Sequence, residues 1–139
     1  MRCYRRSRSP VHSNTARDAL ARIETMVLMA GYDLPIRAIR QQVASALDLL
    51  VHLERVEDGS RRVTSIVEVQ RMESDTITLQ ELFKFHVEQV TAERMVIGSL
   101  RGTGLRPTFL KKFEQRGIAL PLGLFREGRM PESSEGVRP

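Results

Sequence analysis

A chain of 139 residues with a single cysteine, Cys3, forms no internal disulfide, which fits a reducing compartment. No apolar run approaches the roughly 18 residues that a membrane span needs, and no hydrophobic signal-peptide region follows the basic start. There is no internal repeat and no heptad. The motifs that announce common enzymes are also missing: no G-x-x-x-x-G-K-[ST] loop, no G-x-G-x-x-G after a strand, no H-E-x-x-H and no cysteine cluster. Lysine is scarce, three against 19 arginines, a bias that fits a GC-rich bacterial genome. What remains is 41% hydrophobic and 28% charged, the composition of an ordinary globular chain and not of a disordered one. The length suffices for one domain and is marginal for two.

The formal net charge of +5 invites a nucleic-acid or membrane partner, but its distribution argues otherwise. Residues 1–10, MRCYRRSRSP, hold Arg2, Arg5, Arg6 and Arg8 and no acid; the rest of the chain has 18 basic against 17 acidic residues. The basicity thus belongs to a prefix expected to be disordered, and not to a domain surface. A basic nucleic-acid-binding protein is accordingly the least favoured function.

Asn14 or Thr15 is placed to cap a helix, with Asp18 in its first turn where the dipole favours an acid. Ala19, Leu20, Ile23, Met26, Val27 and Ala30 follow at three- and four-residue spacing until Gly31. The methionines of this stripe read as core packing. Pro35 opens a second helix with Ile36, Ile39, Val43, Ala46 and Leu47 on its apolar stripe. Leu49–Leu53 reads as a strand, Asp58-Gly59 as a hairpin turn, and Val63, Ile66, Val67 and Val69 as the returning strand. Ile77–Leu79 and Leu82–Phe85 suggest two short extended pieces, and Met95–Leu100 one more strand. Phe109, Leu110 and Phe113 predict a short amphipathic helix ending at Gly117.

The three histidines, His12, His52 and His86, lack metal-ligand spacing. His12 differs from the others because it immediately precedes a helix start, where free backbone N–H groups and the dipole can meet phosphate oxygens.

Read whole, VHSNTARDALARIETMVLMAG, then DLPIRAIRQQVASALDLLVHLERVEDGSRRVTSIVEV, then ITLQELFKF, resembles the C-terminal end of the type II/IV secretion-system ATPases. The tight-adherence (Flp) pilus assembly ATPases of the CpaF type are the best match. GLRPTFLKKFEQRGIALPLGLF resembles that family's C-terminal extension, so the likeness runs from about Val11 to Phe125. It implies an α/β fold: the C-terminal part of a RecA-like P-loop ATPase domain, built of two helices, a β-hairpin and short strands, plus a small C-terminal extension. The implied organisation is an Arg-rich prefix at 1–10, the RecA-like part at 11–86, the extension at 87–127 and a flexible tail at 128–139. A complete RecA-like core is a mostly parallel sheet between helices.

The family's members are hexameric motors that use ATP and Mg²⁺ to drive pilus assembly or secretion. They work on the cytoplasmic side of the inner membrane, against pilus or secretion platform proteins. Their histidine box resembles a Gly-His-x-Gly-Ser element followed by His-x-Asn. Here His12 matches the second histidine, and Arg22, ten residues on, matches an arginine recurrent in the wider group. The Walker A loop, the acidic box, Walker B and the first half of the histidine box would all precede Val11, where MRCYRRSRSP resembles none of them. The resemblance therefore implies the tail of a longer, frameshifted or truncated ATPase, inactive in ATP hydrolysis by itself and binding no nucleotide or metal alone. The alternative is a non-catalytic interaction module that packs with an intact motor subunit. With no upstream strands beneath the first helix, the piece is expected to be marginally stable and prone to self-association through an unpaired sheet edge.

Overall fold

The computed structural model describes residues 10–128, apart from the side chain of Leu122. The prefix 1–10 and the tail 128–139 expected from the sequence lie outside the described residues, Pro10 and Gly128 excepted. The order of elements is α1 (Ala16–Met29), α2 (Ile36–Ala46), β1 (Leu49–Arg55), β2 (Arg61–Glu73), β3 (Thr76–Val90), β4 (Val96–Gly102), α3 (Leu110–Glu114) and a 3-10 turn at Leu122–Phe125. The fold is mixed α/β, with the four strands in a meander of spatial order β1-β2-β3-β4.

All three strand pairings are antiparallel. Consecutive strands joined by tight turns leave no room for the crossover helix that parallel pairing requires. This part of the chain therefore contains none of the parallel pairing of a RecA-like core.

The local chemistry explains the elements. Thr15, not Asn14, caps α1: its hydroxyl accepts the Asp18 N–H at 3.1 Å. Gly31 follows the helix with φ +81°, a conformation that favours glycine. At the β1–β2 turn Gly59 takes φ +79°, and the Asp58 carboxylate accepts the Ser60 N–H at 2.8 Å. The β2–β3 turn is unlike these, because Ser74 itself enters the left-handed region at φ +55°.

The two short pieces expected at Ile77–Leu79 and Leu82–Phe85 are one strand of 15 residues, β3. Gln80 and Glu81, polar residues that interrupt the apolar pattern, stay in the strand because they find partners on both sides. The Ser65 hydroxyl donates to Glu81 at 2.7 Å, Gln70 donates to Gln80, and Gln80 donates to the Arg106 carbonyl at 3.1 Å. The strand runs unbroken through residues 86 and 87, where the sequence suggested a change of unit.

Leu50 and Val67 stand opposite each other and share a face, so Ile66, the next residue along β2, turns to the other. Each face carries its own core. On the Leu50 face, α1 and α2 bury Leu20, Ile39 and Val43 against Val69 and Ile77. On the Ile66 face, residues 103–128 form a strap that buries Phe125 against Leu82 and Phe83, with Phe109, Leu110 and Leu124 alongside. The Phe83 and Phe125 rings meet at 5.6 Å between centroids, tilted by 47°.

The α1 stripe is buried over only part of its expected length. Leu20 is buried and Ile23 and Val27 are partly buried, but Met26 is 51% exposed and Ala30 is open to solvent. The helix runs past the edge of what it covers.

Arg40, outside the apolar stripe of α2, ties three elements together. Its guanidinium meets both oxygens of Glu24 on α1, at 3.0 and 3.2 Å, and donates to the Asp75 carbonyl in the β2–β3 turn at 2.8 Å.

Asp58 does similar work at the opposite end of the sheet. Its carboxylate is 1% exposed, accepts the Val96 N–H at 3.0 Å and pairs with Arg62 at 3.5 Å. Arg62 in turn donates to the Val96 carbonyl at 3.0 Å and lies 5.8 Å from the Phe85 ring centroid. Hydrogen bonds from Ser60 first, then from the Val96 N–H, together with the Arg62 charge, hold the Asp58 carboxyl at about 2, below its ordinary 3.8. A carboxylate depressed in the folded state contributes its stability in full above the unfolded value and loses it as the pH falls through the folded one. Thermal melts should therefore show a loss of stability between about pH 4 and about pH 2 that is smaller in Asp58→Asn, a variant already less stable at neutral pH. Equal acid slopes for the two proteins would show that this carboxylate contributes nothing.

Candidate functional site

The approach to α1 forms a shallow cleft of about 480 Å³ lined by His12, Ser13, Asn14, Asp18, Ala21, Arg22 and Thr25. The extended Thr15 turns the chain into the helix, so residues 12–14 lie beside its first two turns. Arg22, almost two turns into α1, reaches back and its guanidinium donates to the His12 carbonyl. The two residues singled out from the sequence are thus brought together, through the histidine's main chain and not its ring. Both are exposed, and among the described residues the imidazole has no hydrogen-bond partner.

The electrostatics of the cleft are mixed. Arg22 and the start of the helix favour an anion, whereas the Asp18 carboxylate on the same wall opposes one. Thr15 satisfies the Asp18 N–H with its hydroxyl and the Ala19 N–H with its carbonyl, at 3.0 Å for the latter. These residues can offer a phosphate oxygen one guanidinium and one imidazole.

The other two histidines stand apart from this cleft. His52, on β1, bonds Glu54 two residues on at 3.2 Å, and His86, on β3, stands opposite Ser99. Among the described residues no three His, Cys, Asp or Glu side chains are grouped to hold a metal ion.

A larger cleft, about 990 Å³, lies between α2, the far end of β2 and α3. Four of the charged groups that line it have partners. Lys112 meets Asp48 at 3.0 Å and Arg37 meets Asp75 at 3.4 Å. Glu68 on β2, only 2% exposed, accepts the Thr108 N–H at 2.8 Å, the Thr108 hydroxyl at 2.6 Å and the Phe109 N–H at 3.3 Å. This cleft is the seam by which the strap is fastened to the sheet. Sequence reasoning singled out neither Glu68 nor Arg40. The one local signal for Glu68 was an acid between Val67 and Val69 in a strand otherwise apolar there.

No family model matches the chain, and no curated protein matches it. No helix among the described residues is long and apolar enough to cross a membrane.

Proposed function

We propose that this chain is part of a motor ATPase of the type II/IV secretion group, of the kind that assembles Flp pili, and contributes the edge of a nucleotide site that other residues complete. The observation that carries this reading is the contact between Arg22 and His12, ten residues apart, at the mouth of the cleft before α1. In this reading α1, α2 and the sheet are the part of a RecA-like domain that follows its histidine box, and the strap is the C-terminal extension. His12 and Arg22 suit contact with a terminal phosphate in a hexamer at the cytoplasmic side of an inner membrane. Phosphoryl transfer also needs a phosphate cradle, a lysine and an acid and hydroxyl for Mg²⁺, all fixed in position. The residues at this cleft include an acid and hydroxyls but no lysine and no phosphate-cradling loop, so no reaction step is assigned to them.

Purified chain incubated with ATP and Mg²⁺ is expected to release no phosphate above background. Turnover that disappears in His12→Ala would overturn the proposal, because it would place a complete site in this chain.

A second reading, a non-catalytic module that packs with an intact motor subunit, is favoured by the far end of α1. Met26, Leu28, Met29 and Tyr32 are 48–82% exposed there, a concentration of apolar surface around one helix end. The two readings separate on mixing the chain with an intact motor subunit. A changed hydrolysis rate that depends on His12 and Arg22 supports the first, and binding indifferent to both residues supports the second.

A further inference from the structure

We propose that the free edge of β1 is a self-docking surface: a second copy of this chain adds its own β1 antiparallel to the first about a two-fold axis, joining two four-stranded sheets into one. The two outer strands of the sheet differ in their protection. Beyond β4 the chain returns and covers part of the edge, with Glu127 bridging Gly102 and the Gly128 N–H donating to the Gly102 carbonyl at 3.0 Å. No described strand or bridge covers the outer side of β1.

The backbone of β1 is set to accept a partner. The Val69 N–H donates to the Asp48 carbonyl at 3.0 Å, which fixes the alternation along the pair. Leu50 and His52 therefore bond inward to β2, while Leu49, Val51 and Leu53 direct their N–H and C=O groups outward. Those same three residues are 42%, 51% and 59% exposed, with their side chains on one face. An outer strand with outward backbone groups, an alternating apolar face and no proline is the arrangement that templates another strand.

The charges of β1 fit this chain as its own partner, and of the registers centred on Val51, His52 and Leu53 they favour the last. A two-fold pairing centred on Val51 would oppose Asp48 and Glu54, two acids. One centred on His52 would oppose the two imidazoles and set Glu54 against Leu50. Centred on Leu53, the pairing sets His52 against Glu54 of the second copy, twice, and Leu53 against its own equivalent. Val51 then faces Arg55, whose guanidinium is already turned back onto its own hairpin, donating to the Gly59 carbonyl at 3.0 Å. The arrangement needs no motor subunit, so it stands or falls separately from the functional reading above.

Sedimentation of the full chain over a range of concentrations is expected to show a reversible monomer–dimer equilibrium. Leu53→Lys, at a position that is mostly exposed, is expected to keep the wild-type circular dichroism and to weaken dimerisation at least about tenfold, or 1.4 kcal/mol. In a Cys3→Ser background, mild oxidation is expected to give a disulfide-linked dimer with Leu53→Cys, and little with Leu49→Cys, because only position 53 meets itself across the axis. A chain that stays monomeric at every concentration would overturn the proposal. So would a dimer as tight with Leu53→Lys as without it, or cross-linking as efficient at position 49 as at 53.

Discussion

Gly98→Ala is expected to cost more than about 3 kcal/mol, above the range in which overpacked sites usually fall. A Cβ at this position would lie 2.4 Å from the His86 carbonyl oxygen and 2.7 Å from Cζ of Phe85. Neither neighbour can yield cheaply. The oxygen belongs to β3, which β4 faces along its whole length with Gly98 opposite Val87. The Phe85 ring is held from another side by Arg62, which is itself tied to Asp58 and the Val96 carbonyl. The strand pair has to open or the ring has to leave. Urea unfolding of the two proteins measures the difference, and a shift of less than about 1 kcal/mol would mean that β4 and β3 accommodate a methyl group that this packing excludes.

Glu68→Ala is expected to cost roughly 3 kcal/mol, because three donors lose one shared acceptor oxygen on a side chain that is itself almost wholly buried. The Thr108 and Phe109 N–H groups and the Thr108 hydroxyl all converge on the same Oε1. Glu68→Gln keeps an oxygen there without the charge and should fall between the wild type and Glu68→Ala. The damage should be local as well as global. Hydrogen exchange at the Thr108 and Phe109 amides is expected to accelerate in Glu68→Ala under conditions where α2 amides remain protected. Unchanged exchange at those two amides would show that the strap is held by its apolar contacts alone.

The features legible in the sequence are those whose causes are local. Asp58-Gly59 announces its turn because the side chain and the positive φ both act within four residues. The two helices announce themselves by apolar spacing, and Gly31 by its place after it. The features missed depend on partners far along the chain. Glu68 finds its donors 40 and 41 residues away, and Arg40 finds Glu24 16 residues before it. Gln80 and Glu81 looked like a break in the pattern because their partners on β2 and the strap do not show in a local window. Ser74 hid the β2–β3 turn by adopting a glycine-like conformation without being glycine. Met26 satisfies the helical period as well as Leu20 does; only the extent of α2 and the sheet decides which of them is covered. At the candidate site, the family resemblance singled out His12 and Arg22 one by one and gave no sign of the contact through the histidine's carbonyl.

The strictly sequential order of the sheet bears on how the chain reaches its structure. Each strand pairs only with the strand before or after it, so every step of sheet assembly is the closure of a hairpin. Such a low contact order favours rapid folding, with the sheet able to zip outward from any one of its turns. The Glu68–Thr108 attachment, across 40 residues, closes a much longer loop than any hairpin of the sheet and is expected to form late. Mutations at Glu68 should then speed unfolding while leaving the folding rate almost unchanged.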